Sequence, residues 1–374
     1  MKKVISILLS ICSIVIFLTG CWNRKELNDI LIVQAVGVDK NKSGDFKLTY
    51  QVLKPNVLKN PTNLPSSPQQ KGVWCFSSTG KTIFDSIRNA TLSSNKKLFF
   101  SHNKIIVISS KIATNGIKDI LDIFLRDQEM RSDAYLIVTS QNIEKFLDTT
   151  SPIESIPAKE LENVIKNYFA NAKTFPVRLY EFQKMSMSKS KTAVVPFVTT
   201  KSPLKQSSQK QMFYVEKMAI FNNFKLVGYL THEEMRGLLW VFDKVRSGIY
   251  PIKLREGLFS LELIQSSTII DVKRKDGKAF FTLQIITESN LGEKHLNSSI
   301  SSSLMGKIKE ELCKSIKNDI KKTVKKSFEL KCDILHLGDI YYSSYKEHLK
   351  FDKNSISVSI VVKPFIRRFG MMKE

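Results

Sequence analysis

Cys21 closes the run Leu18-Thr19-Gly20-Cys21, behind a positive head of Lys2 and Lys3 and a stretch from Val4 to Phe17 that is apolar apart from Ser6, Ser10 and Ser13. A charged head, an apolar run and a small-residue ending make a secretory signal. The run is shorter than the roughly 20 residues a helix needs to cross the hydrocarbon core, so a permanent span is the poorer reading. Leucine, a small residue, glycine and cysteine in that order match a bacterial lipobox. The chemistry implied is alkylation of the Cys21 thiol by diacylglycerol and cleavage between Gly20 and Cys21. Leu18, Thr19 and Gly20 would be the recognition residues for signal peptidase II.

Other residues of chemical promise do not assemble. His102, His232, His295, His336 and His348 form no HExxH or other metal pair, and no Gly-x-Ser-x-Gly elbow or well-placed Ser-x-x-Lys is present. Glu233 and Glu234 are neighbours on an expected helix and point apart. Gly80-Lys81-Thr82 between a strand and a helix is the second half of a phosphate loop, but the earlier glycine would fall at Cys75, so a helix start is expected instead. Asp39, Asn41, Ser43 and Gly44 sit at calcium-loop offsets, yet Tyr50 stands where the bidentate glutamate belongs, and the stretch reads as a turn. With Cys12 lost and Cys21 lipidated, Cys75, Cys313 and Cys332 remain, with no metal-ligand spacing. No cofactor is called for beyond the covalent lipid on Cys21, and no catalytic constellation emerges.

Composition sets the frame for these residues. Of 374 residues 42% are apolar, and after loss of residues 1–20 about 350 remain, enough for two or three domains. Lys2 and Lys3 leave with the signal, which lowers the formal charge from +23 by two to +21. That balance suits a polyanionic neighbour. A lipid tether favours an anionic membrane surface, each nearby Lys or Arg adding on the order of 1 kcal/mol.

The elements that position these residues read as an α/β (α+β) fold, with a signal peptide at 1–20, an N-terminal α/β domain at 21–150, a middle domain at 151–250 and a C-terminal domain at 251–374. Ile30 to Val38 and Phe46 to Val52 read as a hairpin, and Val73 to Phe76 as a short strand. A helix with Ile83, Phe84, Ile87 and Ala90 on its apolar face follows. Lys104 to Ser109, a helix over 112–124 and Ala134 to Val138 read as a parallel crossover. The middle segment predicts a helix from Pro157 to Thr174, a shorter one from Arg178 to Met185, and a hairpin of 212–221 with 225–230 before a helix over 231–242. Asp276-Gly277 joins two strands, Leu258 to Val272 and Ala279 to Thr287. A helix of roughly 299–330 then carries Leu304, Ile308, Leu312, Ile316, Ile320, Val324 and Phe328 at every fourth place. That spacing gains about 40° per step, so the stripe winds around the axis. The lysines of its other side lack the interleaved aromatics of a nucleic-acid groove, so no nucleic acid is expected. With a final strand over 355–362, the C-terminal unit reads as an antiparallel sheet backed by one long helix.

Cys21-Trp22-Asn23-Arg24-Lys25-Glu26-Leu27-Asn28-Asp29 behind the lipobox, leading into Ala35-Val36-Gly37-Val38-Asp39, resembles the mature start of the Ger(x)C family, the lipoprotein subunits of spore germinant receptors. Gly80-Lys81-Thr82-Ile83-Phe84, Ser101-His102-Asn103-Lys104, Phe124-Leu125-Arg126-Asp127, Ala219-Ile220-Phe221, Lys225 to Leu230 and Asp333-Ile334-Leu335-His336-Leu337-Gly338 fit in the same order. Lys217 and Met218 depart from the family's glycine there, and the Ser/Pro-rich loop of 54–72 is particular to this chain. The resemblance implies three domains built on mixed sheets with packed helices, anchored on the outer face of the spore inner membrane, without enzymatic activity. The implied partners are an A subunit and a polytopic B subunit, with nutrients as the trigger. Trp22 and Arg24, beside the anchor, are candidate membrane or partner contacts. An extracytoplasmic solute-binding lipoprotein and a wall hydrolase are the competing classes.

Overall fold

The computed structural model describes residues 4–5, 29–54, 71–202, 211–295 and 301–367. Cys21, its lipobox neighbours Leu18, Thr19 and Gly20, and Trp22 and Arg24 all lie outside the described residues. The central strand, β1 (Ile30–Lys40), is apolar and buried along nearly its whole length, the pattern of a strand covered on both faces. It pairs antiparallel with β2 (Phe46–Leu53) through the expected hairpin, whose turn is closed by Asn41 N–H on the Asp45 carbonyl (2.9 Å) and by Gly44 at φ +90°. β3 (Val73–Gly80) lies outside β2. On the other side of β1 come β5 (Ile105–Ser109) and β6 (Tyr135–Thr139), both parallel, with the three-residue β4 (Lys97–Phe99) against the start of β1. β7 (Thr192–Lys201), β8 (Met212–Asn222) and β9 (Lys225–Leu230) complete a nine-stranded sheet in the order β3-β2-β1-β5-β6-β7-β8-β9. One sheet therefore runs through both the expected N-terminal and middle segments.

Helices cover it. α1 (Ile83–Asn89) starts at Thr82, α2 (Ser110–Ala113) and α3 (Lys118–Arg126) follow β5, and α4 (Ile143–Leu147), α5 (Pro157–Lys166) and α6 (Leu179–Met187) follow β6. Three expectations need correction. The single helix over 112–124 is two helices, because Gly116 takes φ +112° and the next N–H, of Ile117, leaves the helix for the Phe224 carbonyl at 3.0 Å. The helix from Pro157 ends at Lys166 in a 3-10 turn, Asn167–Ala170. Phe84 is exposed, stacked under the Arg88 guanidinium at 4.9 Å, so the apolar face of α1 is Ile83 and Ile87, continued by Ala90 just past its end.

Glu160 on α5 is buried with neither carboxylate oxygen hydrogen-bonded, and burial pushes its carboxyl above the ordinary value of 4.5. The ionised form is the costly one. Stability is thus intact below the ordinary value and is lost as pH rises through the raised one. Glu160→Gln is expected to stabilise the fold at pH 7 by about 1 kcal/mol in urea unfolding and to change nothing at pH 4.

After β9, the capping box of Thr231 and Glu234 starts α7 (His232–Val241). A second sheet, β10-β11-β12-β13, holds β10 (Gly248–Lys253), the long hairpin of β11 (Leu258–Lys275) and β12 (Lys278–His295), and β13 (Ile356–Ile366). Between β12 and β13 run α8 (Ser302–Glu329) and α9 (Leu337–Tyr345). β10, β11 and β12 are antiparallel as expected, whereas β13 enters parallel to β12. The reason is the connection: a parallel strand must be reached by a crossover, and the 28-residue α8, about 42 Å long, is that crossover. Leu304, Ile308, Leu312, Ile316 and Ile320 are buried against the sheet, and the stripe then turns aside at Val324 and Phe328, which are only half-buried.

Candidate functional site

α7 crosses α8 at Gly237, where a methyl group would overlap the Asp319 carbonyl and the Thr323 hydroxyl. A glycine inside a helix costs on the order of 1 kcal/mol relative to alanine, and here it permits the contact between the two helices. Closeness brings a buried polar cluster together. Asp319, on the apolar side of α8, accepts from Arg236 Nε at 2.6 Å and from the Tyr250 hydroxyl at 2.7 Å, both on its Oδ2, while Trp240 Nε1 donates to the Tyr250 oxygen at 2.9 Å. Trp240, Tyr250 and Asp319 are buried. Burial, then the charge of Asp319, pushes the Tyr250 phenol well above its ordinary value, so it remains a donor. Thr323 Oγ1 adds a bond to the Glu234 carbonyl (2.6 Å), and Lys322 pairs with Glu233 at the rim. A groove of about 470 Å³ opens beside the cluster, between Lys173, His232 and Ile249.

A second joint ties the turn before β7 to the loop after α8. Asp333 accepts from Leu337 N–H (3.0 Å), Gly338 N–H (2.6 Å) and Ser190 Oγ (2.6 Å). Burial pushes its carboxyl up against these donors. Asp339 accepts from the N–H of Lys189 (2.7 Å) and pairs with His336 Nδ1 at 2.8 Å. Burial would raise Asp339, but the bond from His336 and its charge hold the carboxyl well below the usual carboxylate range. His336 itself sits at φ +56°, the left-handed region that lets the Asp333–Gly338 turn close. Both joints act as clamps, tying together elements far apart in the sequence.

The other singled-out residues are dispersed. His102, His295 and His348 are exposed, and His232 bonds the Val215 carbonyl at 3.0 Å. At Gly80-Lys81-Thr82 the helix start is filled by the chain's own groups: Thr82 Oγ1 accepts from Asp85 N–H (3.0 Å) and Asp85 Oδ2 from Lys81 N–H (2.9 Å), leaving an anion where a phosphate would sit. Cys75, Cys313 and Cys332 are free thiols, and burial pushes Cys75 and Cys332 up to about 12. Among the described residues, no group of three or more His, Cys, Asp and Glu could hold a metal. No helix among them is long and apolar enough to cross a membrane. Sequence reasoning missed Arg236, Gly237, Tyr250 and Asp319. Two signals were available: a glycine inside a helical pattern and a lone carboxylate between Ile316 and Ile320.

A model of the spore germination protein N-terminal domain matches residues 23–200, and one described as spore germination B3/GerAC-like, C-terminal, matches residues 216–370. The chain belongs to the Ger(x)C family. The two matched segments meet at the second joint, where Ser190 faces Asp333. Among curated Ger(x)C relatives, spore germination protein KC of Bacillus subtilis (strain 168) is 22% identical over 96% of this chain and 94% of its own. Spore germination protein B3 of the same strain is 23% identical over 86% and 84%. The crystal structure of the GerBC protein superposes with a TM-score of 0.55 at 19% identity, covering 88% of this chain and 96% of that one, which establishes the shared multi-domain α+β fold. The stretches that carried the resemblance serve that fold: a helix cap at Thr82, buried strand at Ala219 to Phe221, and the clamp at Asp333 to Gly338.

Proposed function

We propose that this chain is a lipid-anchored, non-enzymatic component of a spore germinant receptor, held at the outer face of the spore inner membrane. There it works with A and B subunits so that nutrients trigger germination. The observation that carries the reading is the family match over both halves of the chain, joined to a lipobox cysteine only nine positions before the central strand. The geometry supports it: the polar clusters are spent on joining elements, which suits a body that acts through what it touches. Residues 22–29 span at most about 28 Å when extended, so a lipid on Cys21 keeps that body next to the bilayer. Trp22 and Arg24 fall inside this short tether, where they meet headgroups or a partner subunit. The +21 charge of the processed chain favours an anionic lipid surface.

Mass spectrometry of the chain purified from spore inner membrane tests the anchor. The expected N-terminal peptide begins at Cys21 and carries a thioether-linked diacylglycerol. An unmodified thiol, or a start well downstream, would overturn the proposal.

A further inference from the structure

α8 overhangs its own sheet. Its apolar stripe is buried as far as Ile320 and then rotates past the edge of β13, so that Val324 and Phe328 floor an open groove of about 530 Å³ together with Val358 and Ile360. β13 is an edge strand, paired only with β12 among the described residues. The ladder fixes which way its backbone points. Ala279 N–H bonds the Ser355 carbonyl (2.8 Å) and Arg367 N–H bonds the Ser289 carbonyl (2.9 Å), so odd-numbered residues turn their main-chain groups to β12. Even-numbered residues turn theirs outward. The Val362 carbonyl meets Cys313 Sγ at 3.6 Å, and Pro364 has no N–H. The N–H and C=O of Ile356, Val358 and Ile360 are left without a partner among the described residues, directly above the groove.

We infer that this edge takes one extended segment of a partner protein as a fifth strand, with apolar side chains over Val324 and Phe328 and acidic ones at the flanking inward positions. Backbone pairing satisfies the open edge, and alternate side chains enter the groove. Charge selects the partner's chemistry. Lys321, Lys325 and Lys353 rim the groove against one carboxylate, Glu329, and Lys321 and Lys353 have no ion-pair partner among the described residues. Inward positions of a strand recur every 6–7 Å, which matches one turn of α8 between Val324 and Phe328 and between Lys321 and Lys325. The inference rests on the reading of the chain as a subunit acting through contacts, and it names the surface.

The test uses the full chain reconstituted in phosphatidylcholine nanodiscs, with a fluorescent heptapeptide Glu-Thr-Val-Thr-Val-Thr-Glu read by anisotropy. Saturable binding is expected. It should weaken at least tenfold when the peptide amides that face β13 are N-methylated, when its glutamates become lysines, and in Val358→Pro, which deletes one outward N–H and no bond to β12. Lys321→Glu with Lys325→Glu should reverse the preference between the acidic and basic peptides. Equal binding of the N-methylated peptide would overturn strand addition, as would no binding at millimolar concentration. Laurate filling the groove while the peptide does not would show an acyl site instead. Self-association abolished by Val358→Pro would show a second copy as the occupant, and would equally overturn the inference. Because the assay reads one surface, its failure leaves the receptor reading to be judged by the lipid on Cys21.

Discussion

Replacing Cys21 by alanine is expected to move the chain from the membrane pellet of disrupted spores to the soluble fraction and to weaken the germination response. A single myristoyl-length chain gives a partition constant of only ~10⁴ M⁻¹, so stable residence needs a second signal. On the proposed reading, a diacylglyceryl group on Cys21 would supply both chains at one atom. Without it, surface lysines are left, at on the order of 1 kcal/mol each for those close to an anionic surface. Most of α8's lysines are already engaged: Lys307 with Glu256 (2.5 Å), Lys314 with Glu310 (3.0 Å), Lys322 with Glu233, and Lys325 and Lys326 near Glu329. A companion variant, with an ordinary cleavable signal ending directly before Trp22, removes the apolar run of 4–17 from the comparison. Residual binding of that variant should vanish in 1 M salt, where the screening length is about 3 Å, while the wild-type chain stays in the pellet. Retention of the companion variant at 1 M salt would refute lipid anchoring.

Asp319→Ala is expected to destabilise the C-terminal half by about 3–5 kcal/mol, the cost of stranding a buried charge. The Arg236 side chain is 18% exposed and its partner's 5%, so losing the carboxylate leaves a largely buried guanidinium without its anion. Tyr250 loses its acceptor at the same time. Gly237 holds the two helices so close that the gap has little room to refill. Urea unfolding followed by tryptophan emission reads this directly, because Trp240 belongs to the cluster. Replacing Arg236 and Asp319 together by methionine and leucine should recover most of the loss, since an apolar pair of similar volume avoids the desolvation cost. A loss under 1 kcal/mol for the single variant would show that the cluster is ornamental to stability.

Legibility in the sequence followed locality. The Asp276-Gly277 hairpin was readable because both residues adopt positive φ, +49° and +73°, and few residue types do so cheaply. Thr231 and Glu234 announced α7 through a capping box that needs four residues only. β10 was missed because Pro251 interrupts its alternation; it is an edge strand, where a missing N–H is tolerated. The parallel entry of β13 was written in the chain as strand, long helix, strand, and went unread because serine alternation on its outer face matched an antiparallel habit. The joints were least legible. Arg236 and Asp319 are 83 residues apart, and Ser190 and Asp333 are 143 apart, so only the fold brings each pair to 2.6 Å. The Asp333 to Gly338 turn was marked by resemblance, and its role as a clamp is visible only with Ser190 and Asp339 in place.

The position of β1 has a mechanical meaning. Its first residues lie against β4, and from Val33 onward it is gripped by β2 on one side and, from Ala35, by β5 on the other. A pull on the residues preceding Ile30, directed along the strand, loads these ladders in shear, so many hydrogen bonds must break together instead of unzipping one by one. Force arriving through a tether at that point spreads into the middle of the nine-stranded sheet, and the body would swing or tilt as a unit long before it tore.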